Sequence, residues 1–131
     1  MWGVLLLTCM PLIKSFIQNK SLTLNQDFKS SNWIWLAVVG LTEEIVFRGL
    51  IQNALTSKMQ TSSAMIITNI LFIIIHFPIQ MHNGTFPNFF QFANTFVIGM
   101  IFSYSLDKTK NLCVPIILHT LYDLLVTAFL K

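Results

Sequence analysis

The sequence predicts an all-α fold, a polytopic transmembrane bundle of about five helices, and three observations carry that expectation. Of 131 residues, 54% are hydrophobic and only 10% charged, with a mean hydropathy of +0.68. That balance leaves too little polar surface for a water-soluble globule of this size. The apolar residues fall in blocks about as long as the roughly 20-residue helix that crosses about 30 Å of hydrocarbon. Within those blocks the few ionisable residues recur at helical spacing, as a bundle with a polar interior requires.

The first block, MWGVLLLTCMPLIKSF, lacks the basic start and small-residue cleavage site of a signal peptide. It reads as a short membrane helix over 2–17, kinked at Pro11, or as the remnant of a longer helical region. The polar stretch QNKSLTLNQDFKSSN follows as a loop or interfacial segment, so that 1–32 form an N-terminal helix and connector and 33–131 the core. A second helix, 33–57, opens on Trp33 and Trp35, which suit the membrane interface. The third, 62–77, is rich in Ile and is expected to stop before Pro78, whose ring disfavours helical geometry at Phe77. Asn83-Gly84 and Pro87 mark a loop, in which His82 is expected to be solvated. The fourth helix covers 88–106, DKTKN makes a tight connection, and the fifth covers 113–130.

The net charge of +3 comes from Lys and Arg scattered singly through connecting segments, a pattern that serves membrane topology and not nucleic-acid binding. With five spans, Lys14, Lys20, Lys29 and Lys131 share one side and Lys58, Lys108 and Lys110 the other, which places the 18–32 loop in the cytoplasm. Cys9 and Cys113 lie in apolar stretches without metal-like spacing and are expected to be buried, inert thiols. The lipid bilayer is the first partner the composition implies, crossed several times by the chain.

Each ionisable residue at the centre of a membrane helix costs about 2.5 to 3.5 kcal/mol, so Glu43, Glu44, Arg48 and Asp123 would forfeit about 10 to 14 kcal/mol if left in lipid. They must face inward and meet partners. Glu44 and Arg48, four residues apart, can form a buried ion pair on one helix face. Glu43 points about 100° away from Glu44 and about 140° from Arg48 on a regular helix, which leaves it free to take a proton from a water. It lies about 15 Å along its helix, at a depth that the histidines of the third and fifth helices can share. His76 shares a stripe with Phe72 and Asn69. His119 and Asp123, again four apart, put an imidazole and a carboxylate on one face, where Asp123 can orient the ring or both can bind a metal or an oxyanion. Gln52, Asn53, Gln91 and Asn94 are suited to hydrogen bonds between helices, and Gly99 to a close helix approach. No phosphate-binding glycine loop, HExxH or GxSxG occurs, so NTPase, zincin and serine-hydrolase chemistry has no support.

Taken together, EEIVFR (Glu43, Glu44, Arg48), FIIIH (Phe72, His76) and HTLYD (His119, Asp123) resemble the EExxxR, FxxxH and HxxxN/D motifs of the CPBP family, the CAAX prenyl endopeptidases and related bacterial membrane proteins also called Abi. The three motifs stand in the family's order on successive apolar helices, and the resemblance spans 33–130. It implies an intramembrane endopeptidase acting on a peptide or membrane-protein substrate, in which Glu43 and His76 activate a water while His119 and Asp123 stabilise the oxyanion or hold the site. Glu44 belongs to the same catalytic motif. The family is commonly named a metalloprotease family, and its mechanism is also described as glutamate-dependent without metal. Two histidines and two or three carboxylates are a donor set for zinc as much as for metal-free acid–base work. Asp123 stands where the eukaryotic CAAX enzymes have asparagine, a variant accepted among bacterial relatives, which points away from prenyl-protein processing as such; by analogy with family members the resemblance implies bacteriocin maturation or self-immunity in a multi-pass protein of a bacterial plasma membrane. Two other readings of the same residues stay open: a non-catalytic immunity or binding protein with a structural polar network, and an ion carrier, which lacks the expected repeat.

Overall fold

The computed structural model describes residues 31–82 and 89–129, and within them every regular element is helical. The expected helix over 2–17, Cys9 and the 83–88 loop lie outside the described residues. The first described rod is α1 (Ser31–Glu44), which passes directly into a π-helical segment, π1 (Ile45–Gln52), and then α2 (Asn53–Thr56). After a short turn come α3 (Thr61–His82), α4 (Phe89–Thr109) and α5 (Cys113–Phe129). α1 packs chiefly on α5, α3 on α4 and α4 on α5, with π1 touching both α3 and α4. Successive rods run antiparallel, as short connections dictate.

The burial pattern is that of a protein made for lipid. Ile34, Trp35, Leu50, Ile74 and Phe89 face outward, the last 78% exposed, while Glu44, Arg48, Gln52, Thr68, Asn69, Ser103 and His119 are buried. Outward apolar chains gain nothing from hiding in a bilayer, whereas inward polar ones avoid the cost of hydrocarbon. Two helices, over Thr61–Pro78 and Phe89–Thr109, are long and apolar enough to span a membrane, and Cys113–Ala128 is a shorter apolar helix. A small apolar cluster of Ile98 and Phe102, with Ile101, Leu118 and Tyr122 against it, joins α4 to α5.

Three local features depart from the sequence-based expectation. The helix expected over 33–57 is not uniform, because eight residues, Ile45–Gln52, adopt i→i+5 geometry. Helices widened in this way are frequent at functional sites. Here the wider turn lets Phe47, Arg48 and Gln52 all face the interior. The second departure is Pro78, which lies inside α3, so the helix continues to His82 instead of stopping at Phe77. Proline removes one backbone donor, but a chain that unwound in hydrocarbon would strand several, so the helix persists. Cys113 is the third: it is exposed and not buried, because it opens α5 at the end of the bundle. Its backbone N–H donates to Asn111 Oδ1 at 2.9 Å, which satisfies one of the free donors at that helix start. The preceding turn is closed by Lys110 in the left-handed region, φ 53°, with its N–H on Leu106 O.

Candidate active site

The polar cluster is built from the bottom upward by Arg48. Its guanidinium has no exposed surface, and each arm has a separate task. Nη1 donates to Glu44 Oε1 at 3.1 Å, and Nη2 donates to Asn69 Oδ1 at 3.2 Å and to Gly99 O at 3.0 Å. The plane of the group is packed against the rings of Phe72 and Phe102, 4.7 and 5.5 Å from their centroids. The ion pair expected between Glu44 and Arg48 is therefore present, and Glu44 is fully buried with it.

Glu44 also holds the histidine of α5. His119 Nδ1 lies 2.8 Å from the same Oε1, and since a carboxylate bonded to arginine accepts, Nδ1 carries the proton. The Phe102 ring stacks on the imidazole, with centroids 4.9 Å apart and 24° between planes. Gly40 on α1 lets α5 approach: a Cβ there would stand 2.9 Å from Thr120 Oγ1 and 3.7 Å from His119 Cβ. The free nitrogen, Nε2, then points at Asp123 Oδ2, 3.5 Å away, and at Glu43 Oε2, 3.7 Å away. Sequence reasoning allowed Asp123 to orient the ring through its N–H. In the structure Glu44 has that position, and Asp123 lies beside Nε2.

His76 approaches Glu43 from α3. Its Nδ1 is 2.7 Å from Phe72 O, a carbonyl that can only accept, so the proton is on Nδ1 and Nε2 is the free nitrogen. That nitrogen is 3.6 Å from Glu43 Oε1. Glu43 thus has one oxygen towards each histidine, and it is partly exposed, with 22% of its side chain accessible, as are His76 and Asp123. Glu44 and Arg48 form the fully buried part of the cluster, and Glu43, His76 and Asp123 its partly exposed part.

The arrangement is stabilised by amide side chains on the neighbouring helices. Asn69 Nδ2 donates to Met65 O at 2.8 Å and to Ser103 Oγ at 3.0 Å. Gln52 Nε2 donates to Ser103 O at 3.2 Å, and Asn94 Nδ2 to Tyr122 Oη at 2.7 Å, two inter-helix bonds of the expected kind. Asn53 instead donates to Gly49 O within its own helix. Gly99 does permit a close approach, since a Cβ there would fall 2.0 Å from Asn69 Oδ1. Gly40 and Phe102 were not singled out from the sequence; a glycine in an otherwise apolar membrane helix was the available signal for the first, and nothing in the local sequence marks the second.

A zinc site requires donors that converge on one point at about 2.0 to 2.2 Å. Among the described residues no group of three or more His, Cys, Asp or Glu side chains is arranged to hold a metal ion. The Nε2 atoms of His76 and His119 stand 3.6 and 3.7 Å from the two oxygens of Glu43, and that of His119 stands 3.5 Å from Asp123.

Fold and site define a helical membrane protein with a cluster of glutamate, histidine, aspartate and arginine side chains among its helices. Residues 29–125 match the family described as Rce1-like, type II CAAX prenyl endopeptidase Rce1-like. The chain belongs to that family, and so to the intramembrane endopeptidases that the CPBP motifs indicated. No curated protein and no solved structure matches it.

Proposed function

We propose that the protein hydrolyses a peptide bond of a peptide or membrane-protein substrate with a water activated by Glu43 and His76. The observation that carries this reading is the carboxylate of Glu43 with its two oxygens 3.6 and 3.7 Å from the Nε2 atoms of His76 and His119. Glu43 removes a proton from the water, whose second hydrogen is held by the lone pair of His76 Nε2. The water oxygen attacks the carbonyl carbon. His119, whose resting proton is on Nδ1, takes up a second proton on Nε2 before turnover; that Nε2–H then donates to the oxyanion that develops, and Asp123 holds the imidazolium in place. Glu43 then gives its proton to the amide nitrogen as the C–N bond breaks.

Glu44 is assigned to position His119 and Arg48 to neutralise Glu44. An aspartate at 123 presents a carboxylate and not an amide donor, which favours a substrate other than a prenylated protein and agrees with bacteriocin maturation or self-immunity, in a multi-pass protein of a bacterial plasma membrane. The test is cleavage of a peptide library by the wild type and by Glu43→Gln in detergent, with thermal stability followed in parallel. Cleavage lost at unchanged stability supports the reading. Equal products from both proteins would sink it.

A further inference from the structure

Asn69 touches neither Glu43 nor the histidines and is nonetheless fully buried. Its amide orientation is set by chemistry. Arg48 can only donate and the Met65 carbonyl can only accept, so Oδ1 faces Nη2 of Arg48 and Nδ2 faces Met65 O and Ser103 Oγ. Asn69 is thereby held by α3 and α4 together, and it holds the outer arm of the guanidinium in turn. The other arm, Nη1, meets Glu44 Oε1, the same oxygen that takes the His119 proton.

We propose that Asn69 is a positioning residue of the peptidase site, acting through Arg48 and Glu44 to keep the His119 proton on Nδ1 and its Nε2 towards Glu43. The proposal rests on the peptidase reading for its kinetic consequence but not for its structural one. A guanidinium is planar, so turning one arm displaces the other. Without Asn69, Nη2 keeps Gly99 O at 3.0 Å but loses its second acceptor, and the plane can tilt about that single bond. Nη1 then leaves Glu44 Oε1, the carboxylate turns, and His119 loses the acceptor that selects its tautomer. The same geometry explains the tight fit at Gly99, where a Cβ would also come within 3.1 Å of Arg48 Nη2.

The experiment compares the wild type with Asn69→Leu, which removes the acceptor, Asn69→Asp, which retains one, and Ser103→Ala, which frees the amide to turn. Two readouts are taken on each: steady-state cleavage, and the ¹⁵N spectrum of histidine-labelled protein in micelles, assigned with His119→Gln. The expected result is a kcat about 10- to 100-fold lower for Asn69→Leu at unchanged KM, the usual range for residues that orient a reacting group through another. The His119 signals should move from the Nδ1–H pattern to a mixture of tautomers. Asn69→Asp, which keeps an acceptor for Nη2 but sets its second oxygen against Met65 O, should recover part of both readouts, and Ser103→Ala should shift them in the same direction as Asn69→Leu by less. If Asn69→Leu fails to fold, Ser103→Ala and Asn69→Asp still decide. A wild-type spectrum and wild-type kcat in the folded Asn69→Leu or Ser103→Ala protein overturns the proposal. If the wild type cleaves no peptide while the spectra shift as expected, the peptidase reading falls and the positioning role stands.

Discussion

Glu44 and His119, 75 residues apart in sequence, meet at 2.8 Å through Oε1 and Nδ1 in the interior of the bundle. This contact fixes which nitrogen of His119 is free and sets the adjacent glutamates in different surroundings. Glu44 is fully buried and already bonded to Arg48. Glu43, partly exposed, faces both histidines.

Glu43→Gln keeps the size of the side chain and removes its basicity. The expected loss of cleavage is about 10²- to 10⁴-fold, the usual contribution of a positioned general base. Because the residue is partly exposed and makes no direct hydrogen bond shorter than 3.5 Å to the histidines, the melting temperature in detergent should change by less than that of Glu44→Gln.

Glu44→Gln strands the Arg48 charge in a site without solvent. Removing one member of a buried pair typically costs about 3 to 5 kcal/mol, so this variant should lose most of its stability as well as its activity. The double variant Glu44→Gln, Arg48→Met removes both charges and should recover part of the stability and none of the activity. Thermal unfolding of the four proteins measures the coupling as a double-mutant cycle.

Gly99→Ala introduces a methyl group 2.0 Å from Asn69 Oδ1, which cannot yield without breaking its bond to Arg48. A cost of about 1 to 3 kcal/mol is expected for overpacking of this kind. An unchanged unfolding curve would mean that α3 and α4 are less closely apposed at this point.

Lys110→Gly relieves a side chain at φ 53° and should stabilise the protein by up to about 1 kcal/mol. The exposed Lys110 to Asp107 pair, 2.7 Å apart, offsets little of this. The check is a thermal melt.

Cys113 opens α5 at one end of the bundle and is exposed. In a Cys9→Ser background, a membrane-impermeant maleimide should label it from outside intact cells if the 18–32 loop is cytoplasmic. Labelling only after lysis reverses the orientation.

The sequence by itself determined the class of the molecule. Long apolar blocks require helices in lipid, and charges inside them at intervals of four, Glu44 to Arg48 and His119 to Asp123, require inward faces and paired partners. Those are local properties, set by the period of a helix and the cost of burying charge, so the ion pair was legible from the spacing alone. The partner of His119 was not. Asp123 and Glu44 were both chemically capable of taking the ring proton, and the choice depends on the crossing of α1 with α5 that Gly40 permits. The π-helical turn at Ile45–Gln52 and the passage of α3 through Pro78 were likewise beyond local rules. In both cases the local preference of the backbone yields to the interior partners it must reach and to a solvent that offers it no hydrogen bonds. Only the tertiary structure weighs those terms together.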